Sequence, residues 1–480
     1  MCHGTFDLLH PGHIKHLISA KNYCDLLIVT ITADKFINKG PNRPVFNQRL
    51  RAESIAALSV VGYVAVVQEP TAIEAISKIK PDFYIKGSEY SHPENDPTGK
   101  IHDEIQLVTS FGGEILYTND IVFSSSKIIN SQMNVYSDET EKWLNQYRSL
   151  FSSEEVCSWI EKLSNLKVLV VGEAIIDEYV FCDGLGKAAK DPILAFLYHN
   201  TETFAGGSLA VANHVAGFCS NVTLISLIGE HDSKEDFIRN SLRSQVTFRP
   251  LTQNNSPTIH KRRFVDKHTG NKIFELYLMN DSNLSEHLEG KLIDLLDEQL
   301  KLHDVVIVPD YGHGMMSERV VKKLIDSSKF LVVNTQSNAG NRGFNTISKY
   351  SKADYVCIAG NELELEMRKK HKNFDEMIRD LSDVINCQKY TITVGKSGTI
   401  HYQDGKRVFD APALTTKIVD RVGAGDSVLA ITGMLTAINA PWQIIGLISN
   451  LVGAQMVGDL GNKVNIEKGT LSKHVISLLK

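Results

Sequence analysis

The stretch His3–Leu17, "HGTFDLLHPGHIKHL", gathers four histidines and one aspartate into fifteen positions near the amino terminus. A metal, a phosphate and a merely decorated turn are the three readings. His10, His13 and His16 recur every third residue, a spacing that drifts around a helix, and Pro11 with Gly12 breaks the helix between the first two. Ligands so placed do not converge as zinc requires. Decoration alone leaves unexplained why a Gly-Thr-Phe-Asp turn runs directly into His-Pro-Gly-His. An anion site explains both: Gly4, with Thr5 and Phe6 after it, lets the backbone approach a nucleotide, and Pro11 and Gly12 open a helix whose first amides face a phosphate. His10 and His13 then reach the same phosphates. Transfer of a nucleotidyl group passes through a crowded, charged phosphorus centre, so positioned imidazoles, lysines and Mg²⁺ suffice without a covalent nucleophile.

Outward from this motif, 480 residues exceed what one hydrophobic core usually organises, so two or three domains are expected. An apolar fraction of 42% and a net charge of −5 describe an ordinary soluble protein without the basic excess of a nucleic-acid coat. The seven cysteines are scattered and never form a Cys-x-x-Cys pair, which argues against a disulfide framework or a zinc ribbon and suits a reducing cytoplasm. No apolar run reaches the length of a membrane span and no signal peptide precedes the first motif. The expectation is an intracellular protein with small-molecule partners, and neither nucleic acid nor membrane among them.

Short apolar runs alternate with helix-length amphipathic stretches. "DLLIVTIT" (25–32), "VGYVAVV" (61–67) and "PDFYIKG" (81–87) read as strands and "RLRAESIAALS" (49–59) as a helix, the pattern of a parallel sheet with crossover helices. The polar text after Ile129 reads as a helical connector until "KVLVVGEAIIDEY" (167–179) opens a second alternation, with strands in "NVTLISLIG", "DVVIVPDY", "FLVVNT", "DYVCIAG" and "YTITVG". The boundaries that follow are a first α/β domain over 1–135, a helical linker over 136–165 and a larger α/β domain over 166–480. Only Met1 and Cys2 precede "HGTFD", so the central first strand of the first sheet is expected to be missing and the natural start to lie upstream. Losing such a strand would leave buried ladder groups unpaired.

"GTFDLLHPGH" resembles the His-x-Gly-His motif of the cytidylyltransferase-like nucleotidyltransferases. The resemblance runs over about residues 3–130 through "KGPNRPVFNQRLRAESIAAL", "IKPDFYIKGSEY", "FGGEILY" and "FSSSKII". It implies a Rossmann-like domain in which Lys39, Lys86 and Gly87 join the nucleotide site, Ser124, Ser125 and Ser126 precede a helix and bind triphosphate, and Arg51, with Arg49 as competitor, helps hold it. On capping preference alone the three serines would be a helix cap. "IKGSEY" is nearer the adenylyltransferase half of bifunctional heptose enzymes, whereas "GTFDLLH" also suits glycerol-phosphate enzymes. ATP is therefore the expected nucleotide, with CTP open.

The second motif is "DRVGAGDSVLA" (420–430). Its glycines free consecutive amides to face an anion, the following helix favours the charge developing on a transferring phosphoryl group, and Asp426 can take a proton from a substrate hydroxyl. Alone, such a turn reads equally as a structural helix start. The region 166–480 resembles the ribokinase-like sugar kinases, an α/β sandwich fold, which implies Asp426 as base and Gly423, Ala424 and Gly425 as anion hole. Within it, Asn361 and Glu364 of "GNELE" would organise Mg²⁺ and phosphate. Thr393, Gly395 and Gly398 of "TVGKSG" would hold nucleotide, and Asp177 with Gly206 and Gly207 the sugar. No metal site made by protein ligands alone is expected; Mg²⁺ would arrive with nucleotide, with Glu364 as a candidate contact.

Two departures bear on the sugar. The asparagine that heptose kinases carry after the paired glycines falls here at Ala210, with Asn213 nearest, and the strand end usually Asp-Pro-Lys reads "NTQ" (334–336) before an Asn/Gly-rich loop, "SNAGNRGFN". Together the halves resemble the bifunctional heptose-phosphate kinase and adenylyltransferase family with domain order reversed. That implies phosphorylation of a sugar or sugar phosphate and transfer of AMP to a sugar 1-phosphate with pyrophosphate release. Rival readings are a monofunctional cytidylyltransferase with a regulatory kinase-like half, and a non-catalytic nucleotide or sugar sensor. "TIHKRRFVDKHTGNKIFELYL" (258–278) reads equally as a solvated hairpin and as part of a sheet through which such kinases pair, which leaves a homodimer open.

Overall fold

A computed structural model describes residues 1–37, 43–90, 100–118, 136–280, 282–370, 373–415 and 418–480. The chain divides into two compact units, Met1–Cys157 together with Lys468–Lys480, and Ser158–Glu467.

In the first unit, β1 (Cys2–Gly4), β2 (Ile28–Thr32), β3 (Tyr63–Val67), β4 (Phe83–Gly87) and β5 (Glu114–Thr118) form a parallel sheet in the order β3-β2-β1-β4-β5. Helices Pro11–Lys21, Gln48–Ala56, Ile73–Ile79 and Lys100–Ser110 alternate with these strands, as the run of apolar and amphipathic stretches requires. The expected gap at the centre is not there. Cys2, His3 and Gly4 pair with Val29, Thr30 and Ile31, Cys2 also faces Ile85, and the Ile85 amide donates to the Met1 carbonyl at 2.9 Å. The ladder is completed because His3 and Gly4, read as the start of the turn, are still strand. Cys2 is fully buried there, and burial pushes its thiol up to about 12.

Helices Asp138–Leu150 and Ser153–Lys162 lie in the stretch read as a connector, and the division between the units falls within it, after Cys157. The final helix, Lys468–Leu479, groups with the first unit, although its sequence position suggests the second. Its buried stripe Leu471, Val475 and Leu478 carries no label for which core it joins, and Arg148 fixes that choice by donating to the Leu478 carbonyl at 2.9 Å.

The second unit contains β6 (Lys167–Val171), β7 (Ala174–Lys187), β8 (Leu194–Gly207), β9 (Asn221–His231), β10 (Val246–Pro257), β11 (Ile259–Asp266), β12 (Lys272–Leu278), β13 (Val305–Asp310), β14 (Leu331–Thr335), β15 (Tyr355–Ala359), β16 (Lys389–Thr393), β17 (Thr399–Gln403) and β18 (Lys406–Ala411). Nine of them make one sheet, β10-β9-β6-β13-β14-β15-β16-β17-β18, parallel except at its β17–β18 edge. β13 is buried at every position, which is why "VVIVPD" is a continuous apolar run rather than an alternating one. A four-stranded sheet, β12-β11-β7-β8, stands beside it and takes in both halves of residues 258–278, so that stretch is not an isolated hairpin. Helix Ala424–Ala437 is buried from Asp426 to Thr436, and helix Trp442–Val457 packs alongside. All seven cysteines are free, and among the described residues no helix is long and apolar enough to cross a membrane.

Candidate functional site

Both candidate sites form where parallel strands end and helices begin, the place where open α/β sheets bind ligands. In the first unit β1 delivers Gly4–Asp7 to the helix Pro11–Lys21. His10 is the N-cap of that helix: its Nδ1 accepts the amides of Gly12 at 3.1 Å and His13 at 3.4 Å. An acceptor Nδ1 in a neutral ring puts the proton on Nε2, so the cap selects the tautomer that donates from Nε2. Burial lowers the pKa of His10 and so favours the neutral ring. The His13 ring stacks on His10 with centroids 3.9 Å apart, and Phe6, at φ +47°, turns its ring edge to His13. A Cβ on Gly4 would press on the Phe6 ring at 3.1 Å, so the glycine also serves this local fold. His16 is apart from the pair, bonded to Thr118 at 2.8 Å.

Arg51 corrects the sequence expectation. It has no exposed surface, and it donates to the carbonyls of Phe46 at 3.0 Å, Thr5 at 2.5 Å and Thr32 at 2.8 Å and to the Asp34 carboxylate at 2.6 Å. Instead of reaching for triphosphate it ties the Thr5 turn to the helix Gln48–Ala56. Arg49 is exposed and pairs with Glu53. Asp7 performs a related task, accepting the amides of Val45 and Phe46 at 2.8 and 3.1 Å. Lys86 is buried and its ammonium sits 3.1 Å from Glu104, which also accepts the Tyr84 hydroxyl at 2.9 Å; Gly87 ends β4 beside it. Lys39, Ser124, Ser125 and Ser126 lie outside the described residues.

In the second unit Gly423, at φ +82°, caps the helix carrying Ala424, Gly425 and Asp426. A side chain on Gly423 would be strained at that φ and would run into Asn462. A cavity of about 410 Å³ lies against this turn and is lined by Thr393, Gly395, Gly398, Ala424 and Gly425, with Leu414, Val428 and Ala454 on its apolar walls. Two separate sequence motifs are thus brought to one hollow of a size that suits a nucleotide base. Asp426 is buried, accepts the Tyr311 hydroxyl at 2.8 Å on Oδ1, and is pushed up to about 7 by that burial.

Asp177, at 3% exposure, is ion-paired with Arg263, which also holds Glu275 at 2.9 Å. A Cβ on Gly206 would fall on the Asp177 carboxyl, and Gly207, at φ +59°, begins the helix Ser208–Ala216. Asn213, the nearest asparagine to the departure noted above, is buried and bridges Ser241 and Arg243 instead of facing a ligand. Asn334 of "NTQ" bonds the Cys357 carbonyl at 2.7 Å. In the helix Gly360–Met367, Asn361 is exposed and Glu364 half-buried, while Glu362 accepts the amides of Ser337 and Ala359, each at 3.0 Å. Among the described residues no group of three or more His, Cys, Asp or Glu side chains converges as a metal site.

Sequence reasoning missed four groups here. Tyr311 and Arg263 touch the named carboxylates; Lys261 is buried opposite Asp177 in the ladder. Glu173, 1% exposed, accepts the amides of Tyr311 at 3.2 Å and His313 at 3.1 Å, and burial with Asp310 nearby pushes it up to about 7. Glu173 lies two residues past the end of β6 and Tyr311 directly follows β13, so attention to strand ends could have found them.

A profile described as pfkB family carbohydrate kinase matches residues 165–468. The chain belongs to the pfkB family. A profile described as cytidylyltransferase-like matches residues 1–131, so both domain types are present in the order read from the motifs. The bifunctional protein HldE of Rhodopseudomonas palustris (strain TIE-1) is 25% identical over 310 residues, covering 64% of this pfkB chain and 62% of that protein. HldE of Campylobacter jejuni subsp. jejuni serotype O:2 is 26% identical over 277 residues, 56% of each. HldE of Rhodopseudomonas palustris (strain HaA2) reaches 38% identity, over 129 residues that make 26% of this chain and 25% of that protein. The chain thus spans less than two thirds of the length of these relatives. Arabidopsis thaliana ribokinase complexed with ribose and ATP superposes with a TM-score of 0.51 at 15% identity, covering 66% of this chain and 99% of that one. Escherichia coli phosphofructokinase-2 with fructose-6-phosphate gives 0.51 at 14%, covering 66% and 100%. These two similarities establish the ribokinase-like α/β fold of the second unit.

Proposed function

We propose that the chain is a bifunctional enzyme of nucleotide-sugar synthesis. Its pfkB unit phosphorylates a sugar or sugar phosphate of the heptose 7-phosphate kind with ATP. Its first unit transfers a nucleotidyl group, AMP by preference over CMP, to a sugar 1-phosphate and releases pyrophosphate. The observation that carries the reading is Asp426: a buried carboxyl, pushed up to about 7, at the mouth of a glycine-turned helix that shares a cavity with Thr393, Gly395 and Gly398. A base poised near neutral pH suits proton abstraction from a hydroxyl.

As the sugar hydroxyl gives its proton to Asp426, its oxygen bonds the γ-phosphorus and the bond to the β-phosphate oxygen breaks, leaving ADP. The amides of Gly423, Ala424 and Gly425 stabilise the charge of the transferring group. Mg²⁺ neutralises nucleotide phosphates when bound, and Glu364 with Asn361 is the pair from this chain that would hold it. Asp177, with Gly206 leaving room beside it, would bind sugar hydroxyls. In the first unit His10 donates from Nε2 and His13 reaches the same phosphate oxygens, with Gly4, Thr5, Phe6, Lys39, Lys86, Gly87 and the Ser124–Ser126 segment completing the site. That assignment is supported by the cytidylyltransferase-like match over residues 1–131. The seven free cysteines support a cytoplasmic location. Exposed Leu194, Tyr198 and Phe274 on the four-stranded sheet support a homodimer, which light scattering of the purified chain would test.

The deciding experiment measures ADP formation and pyrophosphate release side by side with Mg²⁺, ATP or CTP, and a panel of heptose 7-phosphates and sugar 1-phosphates. Both products are expected. Pyrophosphate without ADP would reduce the second unit to a binding module, and ADP without pyrophosphate would remove the first activity.

A further inference from the structure

The Asn/Gly-rich loop 337–345 is left without a task by the chemistry above. Its asparagines converge on one short segment. Asn338 and Asn341 donate side-chain amides to the Tyr311 carbonyl at 2.9 and 2.6 Å, and Asn345 donates to the Asp310 carbonyl at 2.9 Å. Gly312, at φ +69°, lets the segment turn so closely against the loop that a Cβ there would strike Asn341 and Asn345. From the other side Glu173 accepts the Tyr311 amide at 3.2 Å. Tyr311 is therefore held at both its amide and its carbonyl, and its hydroxyl donates to Asp426 Oδ1 at 2.8 Å. Among the described residues Oδ2 of Asp426 carries no hydrogen bond, so the anchored oxygen and the one open to a substrate hydroxyl are distinct.

We infer that Tyr311 is a positioning residue of phosphoryl transfer, clamped by the asparagine loop so that its hydroxyl orients the Asp426 carboxylate with Oδ2 toward the substrate. The inference rests on the kinase reading of the second unit. The phenol remains a donor at all working pH values because burial beside Asp426 holds its pKa well above the usual value. Among the described residues, the other charged groups that act on Asp426 are Asp177 from β7, Lys261 from β11 and Glu362 from the helix Gly360–Met367. Asp177 and Glu362 disfavour the carboxylate, whereas Tyr311 and Lys261 favour it. A hydrogen bond to a charged group is worth enough to move a titration by about one pH unit.

The test compares the full chain with Tyr311→Phe, which keeps the ring and removes the donor. Aspartate side-chain carboxyls are labelled with carbon-13, the Asp426 resonance is assigned by its loss in Asp426→Asn, and its titration is followed by NMR. The expected result is a midpoint about one pH unit higher in Tyr311→Phe. The acid limb of kcat/KM for the sugar should move by the same amount, and KM for ATP should change less than twofold. An unchanged Asp426 midpoint overturns the inference, as does a uniform fall in rate without displacement of the acid limb. Absence of sugar-dependent ADP formation in the unaltered chain would sink the kinase reading alone, since the NMR titration still decides what Tyr311 does to Asp426. Asn341→Ala should move the midpoint in the same direction, and no movement there removes the loop from the device.

Discussion

Arg51 donates to the Thr5 carbonyl at 2.5 Å from a guanidinium with no exposed surface. The arginine that sequence position suggested as a triphosphate ligand is instead the buried pin between the glycine turn and the helix Gln48–Ala56. Its charge is matched by Asp34 and its remaining bonds go to backbone oxygens. Arg51→Ala would strand these acceptors and is expected to destabilise the first unit by about 3 kcal/mol. Denaturant unfolding followed by probes in each unit would show it. Arg51→Lys, which cannot reproduce the fork, should lower kcat for pyrophosphate release more than it raises KM for the nucleotide. A pure KM effect would restore direct triphosphate binding.

His10 is the N-cap of its helix and, in the proposed function, also a donor, and two substitutions separate these tasks. His10→Asn keeps an N-cap acceptor while His10→Ala removes it at a cost of about 1 kcal/mol. Both should reduce pyrophosphate release by at least about 100-fold, the usual scale for losing a charge-stabilising donor. Sugar-dependent ADP formation should stay within twofold of the unaltered chain. If His10→Asn retained full nucleotidyl transfer, the imidazole would be a cap only.

Asp426→Asn is expected to lower ADP formation by about 10²–10⁴-fold, with pyrophosphate release unchanged. Loss of both activities in a folded protein would contradict two independent sites.

Because burial pushes Asp426 up to about 7, the base of the proposed function is increasingly protonated as pH falls through that value. Sugar-dependent ADP formation should therefore decline about tenfold per unit on the acid side, read as kcat/KM in mixed buffers. Stability runs the other way. A carboxyl that keeps its proton in the folded chain up to about 7, but loses it near its ordinary value when unfolded, makes folding less favourable as pH rises from about 4 to 7. Asp426→Asn should accordingly raise the thermal midpoint at pH 8, with the gain fading toward pH 4. A gain that persisted at pH 4 would show that ionisation is not its source.

Gly206→Ala places a Cβ against the Asp177 carboxyl. KM for the sugar should rise at least about tenfold, the scale of one displaced charge-assisted hydrogen bond, with KM for ATP unchanged. Equal changes in both constants would move Asp177 out of the sugar site.

The two glycine turns were readable because their chemistry is local: a turn, a helix start and an acid or imidazole lie within a few residues of one another. The alternation of apolar runs and amphipathic stretches likewise reported parallel sheets with crossover helices, since a strand buried on both faces must be apolar throughout, as β13 is. What escaped was pairing over long separations. Tyr311 meets Asp426 across 115 positions, Arg263 meets Asp177 across 86, and Arg51 meets Thr5 across 46. No period or motif carries such distances. The first strand was missed for a different reason, because His3 and Gly4 belong both to the ladder and to the turn.

The amino-acid sequence alone determined where the two glycine turns open helices, since helix amides, glycine freedom and side-chain capping act over a few residues. It also determined the alternation that yields two α/β folds. Tertiary structure decided which partner each charged side chain takes and which of them hold the turns in place, because burial and partner choice arise only when distant strands meet. Arg51 is buried on backbone oxygens and the Asp34 carboxylate and Lys86 lies beside Glu104, whereas Asp426, with Tyr311 on one oxygen, is a carboxyl pushed up to about 7 by burial.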